Sequence, residues 1–177
     1  MTSYTTRLES PLGGITLESD GESLTGLWFD GQAHFAASPD AADAPDLPVF
    51  RETRRWLALY FGGAEPDFTP PLAPRGTAFR RAVWDILRTI PRGRTATYGE
   101  IAARLAAAQG RRTIPARAVG GAVARNPISI IIPCHRVVGK SGSLTGYAGG
   151  IDRKIYLLKL EGGYKETYFV PKHSTAP

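Results

Sequence analysis

The chain has 177 residues, of which 42% are hydrophobic and 21% charged, with one cysteine and three histidines. That is the balance of a globular protein with one sizeable core or two small ones. No apolar stretch reaches membrane-spanning length, the N-terminus lacks the basic-then-apolar pattern of a signal peptide, and a lone cysteine excludes an internal disulfide and makes a poor zinc kit. A reducing, cytoplasmic setting without metal, cofactor or membrane is therefore expected.

Tyr4–Ser10 and Gly14–Ser19 are β-prone runs separated by Pro11-Leu12-Gly13, and Asp20-Gly21 turns the chain into Leu24–Phe29, which predicts a small antiparallel sheet. Residues 36–48, AASPDAADAPDLP, have no periodicity and read as an exposed loop. A helix is expected over Val49–Phe61, with Trp56, Leu57, Tyr60 and Phe61 facing a core and Gly62-Gly63 ending it. The segment 64–76, AEPDFTPPLAPRG, carries four prolines and reads as a linker. It divides the chain into an N-terminal α/β domain over 1–74 and a second domain over 75–177.

The second part reads as mostly helical. Phe79, Val83, Ile86, Leu87 and Ile90 recur at helical spacing before Pro91, so a helix is expected over Phe79–Ile90. Thr97 can cap a helix over Tyr98–Ala108, and after the polar turn Gln109–Thr113 a short helix is expected from about Pro115 to Ala124. The pair is compatible with a helix-turn-helix, a weak signal by itself. The expected fold is thus α/β (α+β): a small N-terminal antiparallel sheet with a helix, joined to a mostly helical domain with a helix-turn-helix.

Charge follows the same division. Residues 1–74 hold 4 Lys/Arg against 11 Asp/Glu, a net of −7, and residues 75–177 hold 18 against 5, a net of +13. A basic half joined to an acidic one suits a polyanion such as DNA, although charge alone does not separate DNA from RNA or a membrane surface. The last short helix has a surface of small residues, Ala116, Ala118, Gly120, Gly121, Ala122 and Ala124, interrupted by Arg117. Close internal packing accounts for small residues; a single long cation on a smooth helix reads better as a probe.

Asn126-Pro127 ends that helix, and Ile128–Ile132 is expected to be a buried strand that delivers Pro133 and Cys134. A lone cysteine in apolar surroundings is ordinarily an inert packing residue. Here His135 and Arg136 follow at once, and a cation or imidazole beside a thiol favours the nucleophilic thiolate. The expected helix Asp152–Leu160 ends on Glu161, a carboxylate at a helix end that prefers cations. A Glu161 in contact with His135 would complete a Cys-His-Glu relay.

The segment ARAVGGAVARNPISIIIPCHRVVGKSGSLTGYAGGIDRKIYLLKLEG, residues 116–162, resembles the active-site region of the O6-alkylguanine-DNA alkyltransferases. The likeness extends through GTAFRRAVWDILRTIPRGRTATYGEIAARL, residues 76–105, and faintly to SPLGGITL near the start. It implies transfer of an alkyl group from O6 of guanine in double-stranded DNA, less readily from O4 of thymine, to Cys134, once per molecule. It further implies His135 as base through a water, Glu161 orienting it, Asn126 bracing the turn, and Tyr98 rotating the nucleotide and donating to the departing base. Arg117 would enter the stack left by the flipped base, with Ala116, Ala118 and Gly120 on a helix in the minor groove, and Lys140 would also contact DNA. Val123, Val137, Tyr147 and Ala148 would shape the alkylguanine pocket.

Relative to that family the chain lacks the extra cysteines of the adaptive-response regulator and the zinc-binding cysteines of some animal members, so no metal is expected. It has Cys134 where alkyltransferase-like binding proteins carry tryptophan. Its turn GRRTI looks longer and more basic than usual, so Arg111 and Arg112 are expected on phosphate. A monomer is expected, with cooperative assembly on DNA left open. Two other readings remain: a lesion-binding module without a reactive thiol, and, ranked low, a thiol hydrolase.

Overall fold

The computed structural model describes residues 2–172, so the last five residues of the expected second domain lie outside the described ones. The described residues form two compact units, one built from residues 2–75 together with Pro127–Ile131, the other from Gly76–Asn126 and residues 132–172.

In the first unit, strands β1 (Tyr4–Ser10), β2 (Gly13–Ser19) and β3 (Leu24–Phe29) form an antiparallel meander, with Leu8 opposite Ile15 and Leu17 opposite Leu27. Ile15, Leu17, Leu24, Leu27 and Phe29 are fully buried, and β3 is buried at every position, as a strand covered on both faces requires. The segment expected to be loop contains a two-residue strand, β4 (Ala42–Asp43), that pairs parallel with β1; it is held by backbone bonds such as Ala42 N–H to Ser3 O at 2.9 Å, which side-chain composition does not announce. Helix α1 (Pro48–Phe61) starts on a proline, whose missing N–H costs nothing there. It buries Trp56, Leu57 and Tyr60 as expected, whereas Phe61 is only half-buried.

The expected strand Ile128–Ile132 does not form. Only Ile128 bridges to Leu27, flanked by Leu27 N–H to Pro127 O at 2.8 Å and Ser129 N–H to Leu27 O at 2.9 Å. Beyond it the backbone turns through Ile130 at φ 70°, a left-handed conformation that is strained for a β-branched residue. The isoleucines are apolar because the turn is buried, not because they pair in a sheet.

The second unit is built around α2 (Ala78–Leu87), α3 (Tyr98–Ala108) and α4 (Ala116–Ala124), which pack on one another. Trp84 fixes α2 to α4 by donating its indole N–H to Ala122 O at 2.9 Å. Helix α2 ends at Leu87 rather than Ile90: Pro91 disfavours helical backbone before it, and Thr89 and Ile90 close as turns on Ile86 and Leu87. Thr97 caps α3 in a reciprocal box with Glu100. Two-residue strands β5 (Ala96–Thr97) and β6 (Val137–Val138) pair in parallel. Helix α5 (Ile151–Leu160) completes the unit, capped by Glu161.

Candidate active site

Cys134 does not sit at the mouth of a strand. It opens a 3₁₀ turn, Cys134–Arg136, with its N–H donated to Ile132 O at 2.8 Å. The turn carries the chain from Pro133 into β6 and buries both the thiol and the imidazole of His135, which is 0% exposed. Asn126, just past α4, braces the turn: its amide Nδ2 donates to Ile132 O at 2.8 Å and lies 3.1 Å from Cys134 Sγ.

On the other side, Glu161 at the end of α5 reaches His135, with Nε2 and Oε1 2.7 Å apart. Neither side chain is exposed to solvent. A carboxylate accepts only, so Nε2 carries the hydrogen and Nδ1 keeps its lone pair. Nδ1 has no hydrogen-bonding partner among the described residues. The carboxyl of Glu161 is itself gripped by Arg136, through Nε to Oε2 at 2.9 Å and Nη2 to Oε1 at 2.9 Å. Cys134, His135, Glu161 and Asn126 are thus brought together; Arg136, read from sequence as a cation for the thiol, faces the carboxylate instead.

Electrostatics follow from burial. Burial pushes the Cys134 thiol above its ordinary value, although the Asn126 amide, the Lys154 charge and the turn's own N–H groups oppose the rise. Burial likewise pushes His135 down, against the pull of Glu161, while the hydrogen bonds and charges of His135 and Arg136 overcome burial and hold Glu161 well below the usual carboxylate range. The resting site is therefore a thiol, a neutral imidazole and a carboxylate.

Lys154 is a site residue that sequence reasoning missed. It is 1% exposed, and its ammonium donates to Val137 O and, at 3.2 Å, to Thr145 O. Burial lowers its pKa to about 8, and the Cys134 charge opposes that fall. The signal was available: Lys154, Leu157 and Leu158 share one face of α5 at spacings of three and four. Thr145 was also missed. Its carbonyl accepts from Tyr98 Oη at 3.1 Å, and burial together with the Cys134 charge raises the Tyr98 phenol to about 12, so it remains a donor.

A cavity of about 580 Å³ opens beside these groups, walled by Tyr98, Gly99, Ala116, Lys140, Ser143 and Thr145. None of the residues expected in a pocket walls it. Val137 and Val123 are buried, Val123 on the inner face of α4; Tyr147 is 9% exposed and Ala148 half-buried. The cavity's loop is strapped from below, with Leu144 N–H donating to Phe169 O at 2.8 Å and Thr95 Oγ1 lying 2.7 Å from Tyr168 Oη.

The outer face of α4 carries Arg117, Ala118 and Gly121, with Ala116 half-buried. Gly120 is a correction: it is buried beside Val119, and Gly121, where an added Cβ would meet nothing within 4 Å, takes the outward position. Helical spacing leaves 120 at the boundary, three residues from both Arg117 and Val123, and burial in the folded chain decides it. Arg111 and Arg112 are exposed in the turn before α4, on the rim of a groove lined by Ala103 and Ala107. Lys140 is exposed on the cavity loop. Among the described residues no cluster of His, Cys, Asp and Glu is placed to hold a metal, and no helix is long and apolar enough to cross a membrane.

Two family models match the chain, the 6-O-methylguanine DNA methyltransferase ribonuclease-like domain over residues 3–74 and the DNA binding domain of the same proteins over residues 78–163. The chain belongs to this family. It is 45% identical over 159 residues to a methylated-DNA–protein-cysteine methyltransferase of Haemophilus influenzae, covering 89% of this chain and 86% of that protein. A Mycobacterium tuberculosis protein of the same description is 45% identical over 155 residues, covering 87% and 89%. Among solved structures, a Mycobacterium tuberculosis member in complex with DNA matches with TM-score 0.79 at 42% identity, covering 92% of this chain and 93% of that one. A Methanococcus jannaschii O6-methylguanine DNA methyltransferase matches with TM-score 0.64 at 28% identity, covering 95% and 99%.

Proposed function

We propose that this protein binds double-stranded DNA and removes the alkyl group from O6 of an extruded guanine, and less readily from O4 of thymine, onto Cys134. The observation that carries the reading is the buried thiol one residue from an imidazole that is locked on a carboxylate, its second nitrogen left free to take a proton. The relatives, named for transfer from methylated DNA to a protein cysteine, support the same chemistry.

The base must leave the duplex, because its O6-alkyl carbon is not open to in-line attack within the stack; extrusion costs a few kcal/mol, less for a poorly paired lesion. Arg117 fills the gap from a smooth α4 in the minor groove, while Ala116, Ala118 and Gly121 permit close approach. Arg111, Arg112 and Lys140 hold phosphates. The base enters the cavity beside Tyr98. The Cys134 proton passes to His135 Nδ1 through one water, and the new imidazolium is stabilised by Glu161. Sulfur then attacks the alkyl carbon: the C–S bond forms as the C–O6 bond breaks, the bonding pair going to O6. Tyr98, kept protonated, donates a hydrogen bond to the purine as this charge develops, and the proton taken from sulfur restores the guanine. The product is a thioether, which no chemistry of the surrounding side chains cleaves, so each monomer acts once. Cytoplasmic reducing conditions would keep the thiol ready.

Titrating the protein with duplex carrying one O6-methylguanine tests this. Repaired lesions should plateau at one per protein molecule. Continued turnover refutes the reading, and tight binding with no repair favours a lesion-binding module.

A further inference from the structure

Arg136 uses all three guanidinium nitrogens. Nε and Nη2 form a fork on Glu161, each at 2.9 Å, and Nη1 donates to Ile90 O at 2.6 Å, which ties the fork to the backbone beyond α2. The Arg136 side chain is 13% exposed and that of Glu161 not at all. The Oε1 atom that Nη2 binds also lies 2.7 Å from His135 Nε2. One carboxylate is therefore shared between a permanent cation and an imidazole.

Sharing has a geometric and an electrostatic consequence. A bidentate fork fixes the plane of a carboxylate, so Oε1 stays on Nε2–H and the free lone pair stays on Nδ1. A carboxylate held only by the imidazole would favour imidazolium, whereas one already paired with guanidinium does so far less. His135 is faced by Glu161 and Lys154 from α5 and by Arg136 and Cys134 from its own turn; Arg136 and Lys154 both disfavour its protonation. We propose that Arg136 is a positioning residue for alkyl transfer: its fork holds Glu161 on Nε2, and its charge keeps His135 neutral, the only form whose Nδ1 can take the Cys134 proton. The inference rests on the Cys134–His135–Glu161 reading above.

The test compares Arg136→Gln and Arg136→Lys with the wild type, by single-turnover transfer from O6-methylguanine duplex between about pH 5 and about pH 9 and by NMR titration of ¹³C-labelled histidine in the full chain. Removing the charge should make His135 more basic, so the acid limb of the rate and the His135 titration should both move up, by about one pH unit or more in Arg136→Gln. Its rate deficit should then be small near pH 8.5 and grow as the pH falls, towards about tenfold below the wild-type acid limb. Arg136→Lys keeps the charge without the fork, so its rate should fall at every pH while the titration stays within about half a unit of wild type. An Arg136→Gln rate lowered equally at every pH, with the His135 titration unmoved, would reduce Arg136 to a structural role. If the glutamine variant does not fold, the lysine variant decides: a titration moved by more than about one unit despite the retained charge overturns the proposal. The histidine titration reads the clamp even if wild-type Cys134 accepts no alkyl group, so failure of the functional reading is told apart from failure of this one.

Discussion

Replacing Glu161 with glutamine keeps the shape of the side chain and removes its charge. The carboxylate now meets three donors, His135 Nε2–H and the Nε and Nη2 groups of Arg136. With the amide oxygen in the Oε1 position, His135 keeps its acceptor, but the amide N–H₂ faces Arg136 Nε–H, two donors in a buried contact. With the amide reversed, its N–H₂ donates to His135 Nε2, the ring must carry its proton on Nδ1, and the nitrogen that should take the thiol proton is occupied. Either way the guanidinium loses a buried counter-ion, a change that costs about 3–5 kcal/mol, within the total of about 5–15 kcal/mol of an ordinary domain. Weakened base catalysis or the wrong tautomer should slow transfer by about 10²–10⁴-fold. Urea unfolding and single-turnover transfer, measured on the same preparation at a temperature where circular dichroism shows a folded chain, separate the two effects. A folded Glu161→Gln variant whose rate stays within about threefold of wild type would refute the relay.

Asn126→Ala removes one of the two donors to Ile132 O, leaving the Cys134 N–H, and deprives Cys134 Sγ of its amide donor in a buried turn. It should cost about 1–3 kcal/mol in urea unfolding and slow transfer by about tenfold or more; an unchanged rate at reduced stability would leave Asn126 a purely structural brace. Charge reversal of Arg111 and Arg112 together should weaken binding to any duplex and shrink the slope of log affinity against log salt by about two, whereas unchanged affinity and slope would remove both from the DNA face. Lys154 is buried with its pKa lowered to about 8, below its unfolded value of about 10.4. Between those values the unfolded chain binds the extra proton, so folding stability should rise with pH across the window, by about 3 kcal/mol relative to Lys154→Met. Parallel pH profiles of the two proteins would show that Lys154 is not buried as a cation.

Much of this site could be read from the chain because its chemistry lies within single short segments. Cys134 and His135 are adjacent, Thr97 and Glu100 sit at capping-box spacing, and Glu161 stands against the local preference of a helix end. Tertiary context decided the rest. Four isoleucines around Ser129 suggested a strand at 128–132, yet burial in a turn with Ile130 left-handed demands the same composition. Arg136 was assigned to the thiol because it is near in sequence, and α5 delivers a carboxylate that takes it away. Gly120 and Gly121 are interchangeable by composition; only burial in the folded chain says which is outside. Lys154 was overlooked because a lysine normally reads as surface, although its neighbours at i+3 and i+4 are buried leucines.

The central claim is a covalent one: the alkyl group ends on the sulfur of Cys134. Intact-protein mass, measured after mixing the chain with a slight excess of duplex containing one O6-methylguanine, tests it most directly. The whole population should gain the mass of one methylene, peptide mapping should place it on Cys134, and Cys134→Ser should bind the same duplex without gaining mass. An unchanged mass in a tight complex, or a methyl group mapped to any other residue, would contradict it.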